Sequence, residues 1–253
     1  MTAPNWQLQK FTIGIRHERM FLISDIHGDI TDKVLGLCKK VPFPKGFFNQ
    51  VTRPDLTKII LTDMADNLSL TCSIDGVIIQ ADMSEGSLVT VKKVEEIFTH
   101  IVHSIVPLTE AKDRINRIGV VYEFQIPDFT NSARTIFSQF MKIDLTGIQD
   151  NMLMRISLKN PAIESIINPD KKSDYKNVIL TISSEREKDE NDVEESEEEE
   201  RKERIPTILK ISSDYQVYYI PQRSLKNVNI NKHLSEAGSY IESAIKKIPL
   251  NVE

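Results

Sequence analysis

Hydrophobic and polar positions along the chain alternate in two distinct periods. Lys10 to Arg16 and Arg19 to Ser24 read as extended stretches, and Ile30, Val34, Leu37, Cys38 and Val41 then follow helical spacing. Asp29 is the expected N-cap of that helix, with Asp32 in its first turn. The run Val41-Pro42-Phe43-Pro44 ends it, since proline cannot continue the hydrogen-bond ladder. Thr57 to Thr62 reads as a strand. Asn67 to Ile74 and Val77 to Ala81 flank Asp75-Gly76, a strong hairpin turn. Over Ser87 to Ile105, Val91, Val94, Phe98, Ile101 and Ile105 form one apolar helical stripe, widened by Ile97 and Val102.

The second half begins with strict alternation from Arg117 to Ile126: Ile118, Val120, Tyr122, Phe124 and Ile126 on one side, Gly119 and Val121 among charged neighbours on the other. Thr130 to Met141 reads as a short helix. Met152, Met154, Ile156 and Leu158 alternate on a strand, and Val178 to Ser183 and Ile205 to Ser212 are strands on either side of an acidic run. Gln216 to Ile220 reads as a further strand, following a turn at Ser213-Asp214. Leu234, Ala237, Ile241, Ala244, Ile245 and Ile248 give a terminal helix.

The halves share an element order, so the expected fold class is α+β: two β-α-β-β-β-α-like halves, over residues 1–110 and 111–253, forming mainly antiparallel sheet covered by helices on one face. Edge-to-edge joining of their sheets would hide open strand edges. A sheet with one free face offers a broad binding surface, whose interface core would include Gly119 and Val121.

The chain of 253 residues carries a net charge of −5, unevenly spread. Glu185 to Arg204 holds twelve acids and five bases, which leaves the rest near +2. That segment, 185–204, lacks the apolar content to join a core and is expected to be a disordered acidic loop. The remainder is not basic enough to argue for nucleic acid from bulk charge. Cys38 and Cys72 have no paired spacing and read as small buried thiols. No apolar run approaches a membrane span and no secretory signal is visible, so the expected location is the cytoplasm.

One stretch carries the residues of a reaction centre. Phe21-Leu22-Ile23-Ser24-Asp25-Ile26-His27-Gly28-Asp29 resembles the first metal motif of the calcineurin-like metallophosphoesterases, in which an Asp and a His at a strand end bind one of two metal ions. The resemblance covers about ten residues and implies a metal-dependent phosphoesterase or nuclease using Asp25 and His27. The other histidines, His17, His100, His103 and His233, stand in none of the further motifs that family needs. The simpler reading makes Asp25 and Asp29 helix caps and Gly28 a turn residue, with no catalytic, cofactor or metal residues assigned. Asp63 and Asp66 read as turn residues. Lys112, Arg114, Arg117 and Arg134 form a local basic cluster that reads as a charged rim, while the aromatic residues mostly alternate into the core.

Asn116-Arg117-Ile118-Gly119-Val120-Val121-Tyr122, within Thr57 to Ile126, resembles a sporadically distributed bacterial family of unknown function, and Pro42-Phe43-Pro44 is similar to the Phe-Pro that precedes it there. The resemblance brings no catalytic residues and implies a cytoplasmic bacterial accessory protein from a mobile-element or defence-type locus. The function expected from all of this is a non-catalytic protein, without cofactor, that binds a protein partner or itself, with no membrane role. The alternatives are the metal-dependent enzyme and a nucleic-acid-binding saddle built on the Arg117 strand.

Overall fold

A computed structural model describes residues 6–38, 50–51, 57–62, 67–84, 87, 89–127, 152–161, 173–185 and 208–247. The expected helix at Thr130 to Met141, Pro42-Phe43-Pro44, Asp63, Asp66, Arg134 and the acidic run beyond Glu185 lie outside them.

The first half runs β1 (Gln7–His17), α1 (His27–Cys38), β2 (Gln50–Val51), β3 (Lys58–Thr62), β4 (Leu68–Ser73), β5 (Gly76–Asp82) and α2 (Val91–Ile105). The second runs β6 (Ile115–Pro127), β7 (Met152–Pro161), β8 (Tyr175–Glu185), β9 (Ile208–Arg223) and α3 (Ile230–Lys247). All nine strands form one antiparallel sheet in the order β2-β3-β4-β5-β1-β6-β9-β8-β7. The expected α+β class, with helices on one face of an antiparallel sheet, is what the structure shows.

The halves join where β1 pairs with β6. Ile13-Gly14-Ile15 on β1 matches Ile118-Gly119-Val120 on β6, and Gly14 and Gly119 are register partners. Ile15 pairs with Ile118 and Ile13 with Val120, as a local two-fold axis between the glycines requires. The helices obey the same relation. α2 packs on β1 and β5, and α3 packs on β6 and β9.

Period-two alternation sends Phe11, Ile13 and Ile15, Ile118 and Val120, Leu209 and Ile211 toward the helices, where they are fully buried. The α2 stripe of Val94, Ile97, Phe98, Ile101, Val102 and Ile105 is buried against them. From α3 the core receives Ile230, His233, Leu234, Ala237 and Ile241. The core therefore lies in one layer between helices and sheet.

Four elements differ from the pattern-based expectation. Phe21–Ser24 is a 3-10 turn instead of a strand, with Phe21 69% exposed. β1 already has β5 and β6 on its two sides, so no sheet edge is left there for another strand. α1 begins at His27, which puts Asp29 inside its first turn and not at the N-cap. α2 begins at Val91, not Ser87, because the Thr90 side chain caps it by accepting from the Lys93 amide at 3.3 Å. Ser213 and Asp214 do not turn the chain: β9 runs unbroken from Ile208 to Arg223. Pairing to β6 on one side and β8 on the other overrides their turn preference.

The expected β4–β5 hairpin is present, but its turn lies one residue earlier than Asp75-Gly76: Ile74 and Asp75 stand between the paired Ser73 and Gly76, the first residue of β5. Gly76 is required there, since a Cβ would lie 2.4 Å from the Ile15 carbonyl oxygen. Asp75 ties the turn to β1 by an ion pair with Arg16 at 2.5 Å, and its carbonyl accepts from the His17 amide at 3.0 Å.

Candidate functional site: the open face of the sheet

The residues that alternate away from the helices form a second face carrying mostly polar side chains. Thr12, Gly14 and Arg16 of β1 stand beside Val121, Gly119 and Arg117 of β6. These in turn stand beside Asp214, Gln216 and Tyr218 of β9, and then Ile179, Asn177 and Tyr175 of β8. One end of the face is hollowed: side chains as far apart as Ser69 on β4 and Ser183 on β8 line a single cavity of about 700 Å3, with Lys10, Gln80, Asp82, Gln125 and Lys210 between them. From β4 to β8 is five strand spacings, roughly 24 Å.

Opposite that cavity, along the other border of the face, runs a ladder of cations and rings. Tyr175 and Tyr218 are register partners, and their rings stack at 4.6 Å with 7° between planes. The Lys159 ammonium sits 4.4 Å from the Tyr175 ring centroid, and the Arg117 guanidinium 5.5 Å from that of Tyr218. The rings thus face each other, Lys159 faces the far side of Tyr175, and Arg117 stands at the hydroxyl edge of Tyr218. The phenol edges and the charged groups, not the π-faces, are what this border presents to a partner.

A hydrogen-bond chain fixes the Arg117 end. Arg117 Nη1 donates to Tyr218 Oη at 3.1 Å, Tyr218 Oη donates to Gln216 Oε1 at 2.6 Å, and Gln216 Nε2 donates to Asp214 Oδ2. Burial raises the Asp214 carboxyl above its ordinary value, opposed by the Gln216 hydrogen bond and by Arg117 and Arg155. Among the described residues, Arg117, Arg155 and Lys159 have no carboxylate within ion-pair distance.

The described members of the expected basic cluster, Lys112, Arg114 and Arg117, do not assemble. Arg114 pairs with Glu18 at 3.0 Å beyond the end of β6, Lys112 is exposed in the preceding loop, and Arg117 alone turns onto the open face. Tyr175 and Tyr218 were not expected on the face. The signal was in the sequence: Asp214, Gln216 and Tyr218 keep period two once β9 is read as one strand.

The Asp25–Asp29 stretch is built differently. Asp25 follows the 3-10 turn, its amide donating to the Leu22 carbonyl, while the Ser24 hydroxyl donates to the Asp25 carboxylate at 3.3 Å. His27 is the first residue of α1, and its carbonyl accepts from the Thr31 hydroxyl. Gly28 and Asp29 are exposed. Among the described residues, no group of three or more His, Cys, Asp or Glu side chains is placed to hold a metal ion.

The remaining histidines are dispersed. His100 and His103 lie on the solvent side of α2. His17 is buried at the end of β1, where burial lowers its pKa. His233, on the buried side of α3, packs against the Tyr215 ring at 5.2 Å, both ring nitrogens without a hydrogen-bond partner, and burial lowers its pKa to about 4. Nearby, Glu236 accepts from Lys176 Nζ at 2.7 Å and from Tyr215 Oη at 3.3 Å, which fastens α3 to β8 and β9. Cys72 is buried as expected and Cys38 only half-buried; both are free thiols, raised by burial to about 12 and about 11. No helix among the described residues is long and apolar enough to cross a membrane.

No family model, curated protein or solved structure matches the chain.

Proposed function

We propose that this chain is a non-catalytic accessory protein that holds a macromolecular partner on the open face of its sheet. The observation that carries this reading is the difference between the two faces. One is covered by α2 and α3, while on the other no helix packs among the described residues, and it is polar, hollowed at one end and fitted with a ladder of charged and phenolic groups. Nine strands joined through β1 and β6 form a rigid platform, and rigid elements place contact groups more accurately than loops do. At the pair Gly14 and Gly119 the middle of the face is lined by the neighbouring Ile78 and Gln216 side chains, which lean over the glycines. On this reading the Asp25–His27 stretch joins β1 to α1 and does no chemistry.

The reading is tested with a photoreactive residue placed at Val121, in the middle of the open face, and at Glu242, exposed on α3. In a native-host extract, light should couple the Val121 probe to a discrete macromolecule and leave the Glu242 probe unreacted. Equal labelling from the two positions, or none from Val121, overturns it.

A further inference from the structure

We infer that the partner is a nucleic-acid duplex, gripped through its phosphates. This rests on the reading of the open face as the binding surface and specifies what that surface holds. Three observations carry it.

The first is where the cations stand. Arg117 stands at one border of the face beside Tyr218, and Lys159, the register partner of Asn177, reaches back to the Tyr175 ring at that border. Arg155 lies toward the other border, at the level of Thr181 and Ser212. From Tyr218 to Ser212 is six residues of strand, roughly 20 Å. Cations on β6 and, three strand spacings away, on β7 suit a partner that is anionic along both flanks, as a duplex is.

The second is the state of the aromatic groups. Single-strand binding draws on open ring faces on which bases stack. Here the Tyr175 and Tyr218 rings cover one another and Lys159 covers the other Tyr175 face, while Arg117 stands at the Tyr218 hydroxyl edge. The border is built to aim positive charge and hydroxyls, which suits a sugar–phosphate backbone.

The third is the lining of the cavity. Gln80, Gln125, Ser183 and Ser212 offer amides and hydroxyls where the centre of a protein interface would place apolar and aromatic groups. Acidic side chains are present too, at Asp82 and Glu123, so the fit is to a wide object seated across the trough and not to a small anion deep within it.

Phosphate contacts of this kind are indifferent to sequence and steep in salt. Three contacts, from Arg117, Arg155 and Lys159, give a logarithmic salt slope of about −2.7, so raising salt from 50 to 200 mM should weaken binding about 40-fold. The test is fluorescence anisotropy of the full chain with a labelled random-sequence DNA duplex, the matching single strand and poly-glutamate. Duplex should bind at least about ten-fold tighter than either competitor. The double variant Arg117→Gln/Lys159→Gln should flatten the salt slope by about two, and Lys247→Gln, on α3, should change nothing. A circular-dichroism melt unchanged in the double variant shows that the fold persists; should it fall, Arg155→Gln alone gives the same reading with a slope change of about one.

Tighter binding to poly-glutamate, or duplex binding insensitive to these substitutions, overturns the inference. So does the absence of duplex binding at 50 mM salt. If duplex binding fails while the Val121 probe still captures a protein, the nucleic-acid inference falls and the open face stands as a binding surface. If both fail, the reading of the face falls with it.

Discussion

Gly14 and Gly119 face one another across the β1–β6 pair, at the point about which the two halves repeat. They are equivalent by position and not by surroundings. A Cβ on Gly14 would lie 2.9 Å from Ile78 Cγ1 and 3.4 Å from the Val77 carbonyl oxygen, whereas the nearest atom to one on Gly119 is Gln216 Cγ at 3.5 Å. Gly119→Ala should therefore stabilise the chain by about 0.5–1 kcal/mol, the usual gain on replacing glycine within a strand. Gly14→Ala should destabilise it by about 1–3 kcal/mol, since Ile78 must move. Urea midpoints at unchanged slope check both signs.

His233 makes the fold sensitive to acid. Its pKa of about 4 in the folded chain lies below the unfolded value of 6.5. The folded state holds the ring neutral where the unfolded chain would protonate it. The stability at stake is present in full above about pH 6.5 and is lost as pH falls toward 4, by roughly 3 kcal/mol. His233→Phe, which keeps the contact with Tyr215, should remove most of that loss and leave the smaller part due to His17. Urea unfolding at pH 7 and pH 4.5 gives the measurement.

Asp214 has the opposite sign. Burial raises its carboxyl, so the folded state holds that proton more tightly than the unfolded chain does. At neutral pH its ionised form costs stability, and the cost is relieved as pH falls through the raised value. Asp214→Asn should raise the melting temperature at pH 7, with the gain vanishing once both chains are measured below the ordinary carboxylate range. A lower melting temperature at pH 7 would mean that the attraction of Arg117 and Arg155 for the carboxylate outweighs its burial.

If the Asp25–His27 stretch does no chemistry, millimolar Mn²⁺ should shift the melting temperature of the wild-type chain and of His27→Ala equally. A rise of several degrees confined to the wild type would place a metal ion there after all.

How much of this was legible beforehand depended on which force set each element. α2 and β6 were readable because a single buried face imposes its period on the sequence, 3.6 for Val94 to Ile105 and two for Ile118 to Ile126. The β4–β5 hairpin was readable to within one residue from Asp75-Gly76, although the need for glycine there comes from the close approach of β1 at the Ile15 carbonyl. Phe21–Ser24 and Ser213-Asp214 were misread because long-range pairing decided them: the first finds no vacant strand edge, and the second is held between β6 and β8. The ladder of Lys159, Tyr175, Tyr218 and Arg117 draws one side chain from each of four strands far apart in sequence. It becomes visible only when strand order and register are known.

The seam between the halves also governs what a severed chain would do. β1 and β6, eleven and thirteen residues long, are each other's neighbours for most of their length. Divided between residues 110 and 111, each fragment would carry a bare row of amides and carbonyls with only one strand to satisfy it, the missing one. Such fragments, produced together, should reassemble into the parent molecule, and produced singly should precipitate. The same cut would turn the molecule into a split reporter whose two pieces announce when they meet.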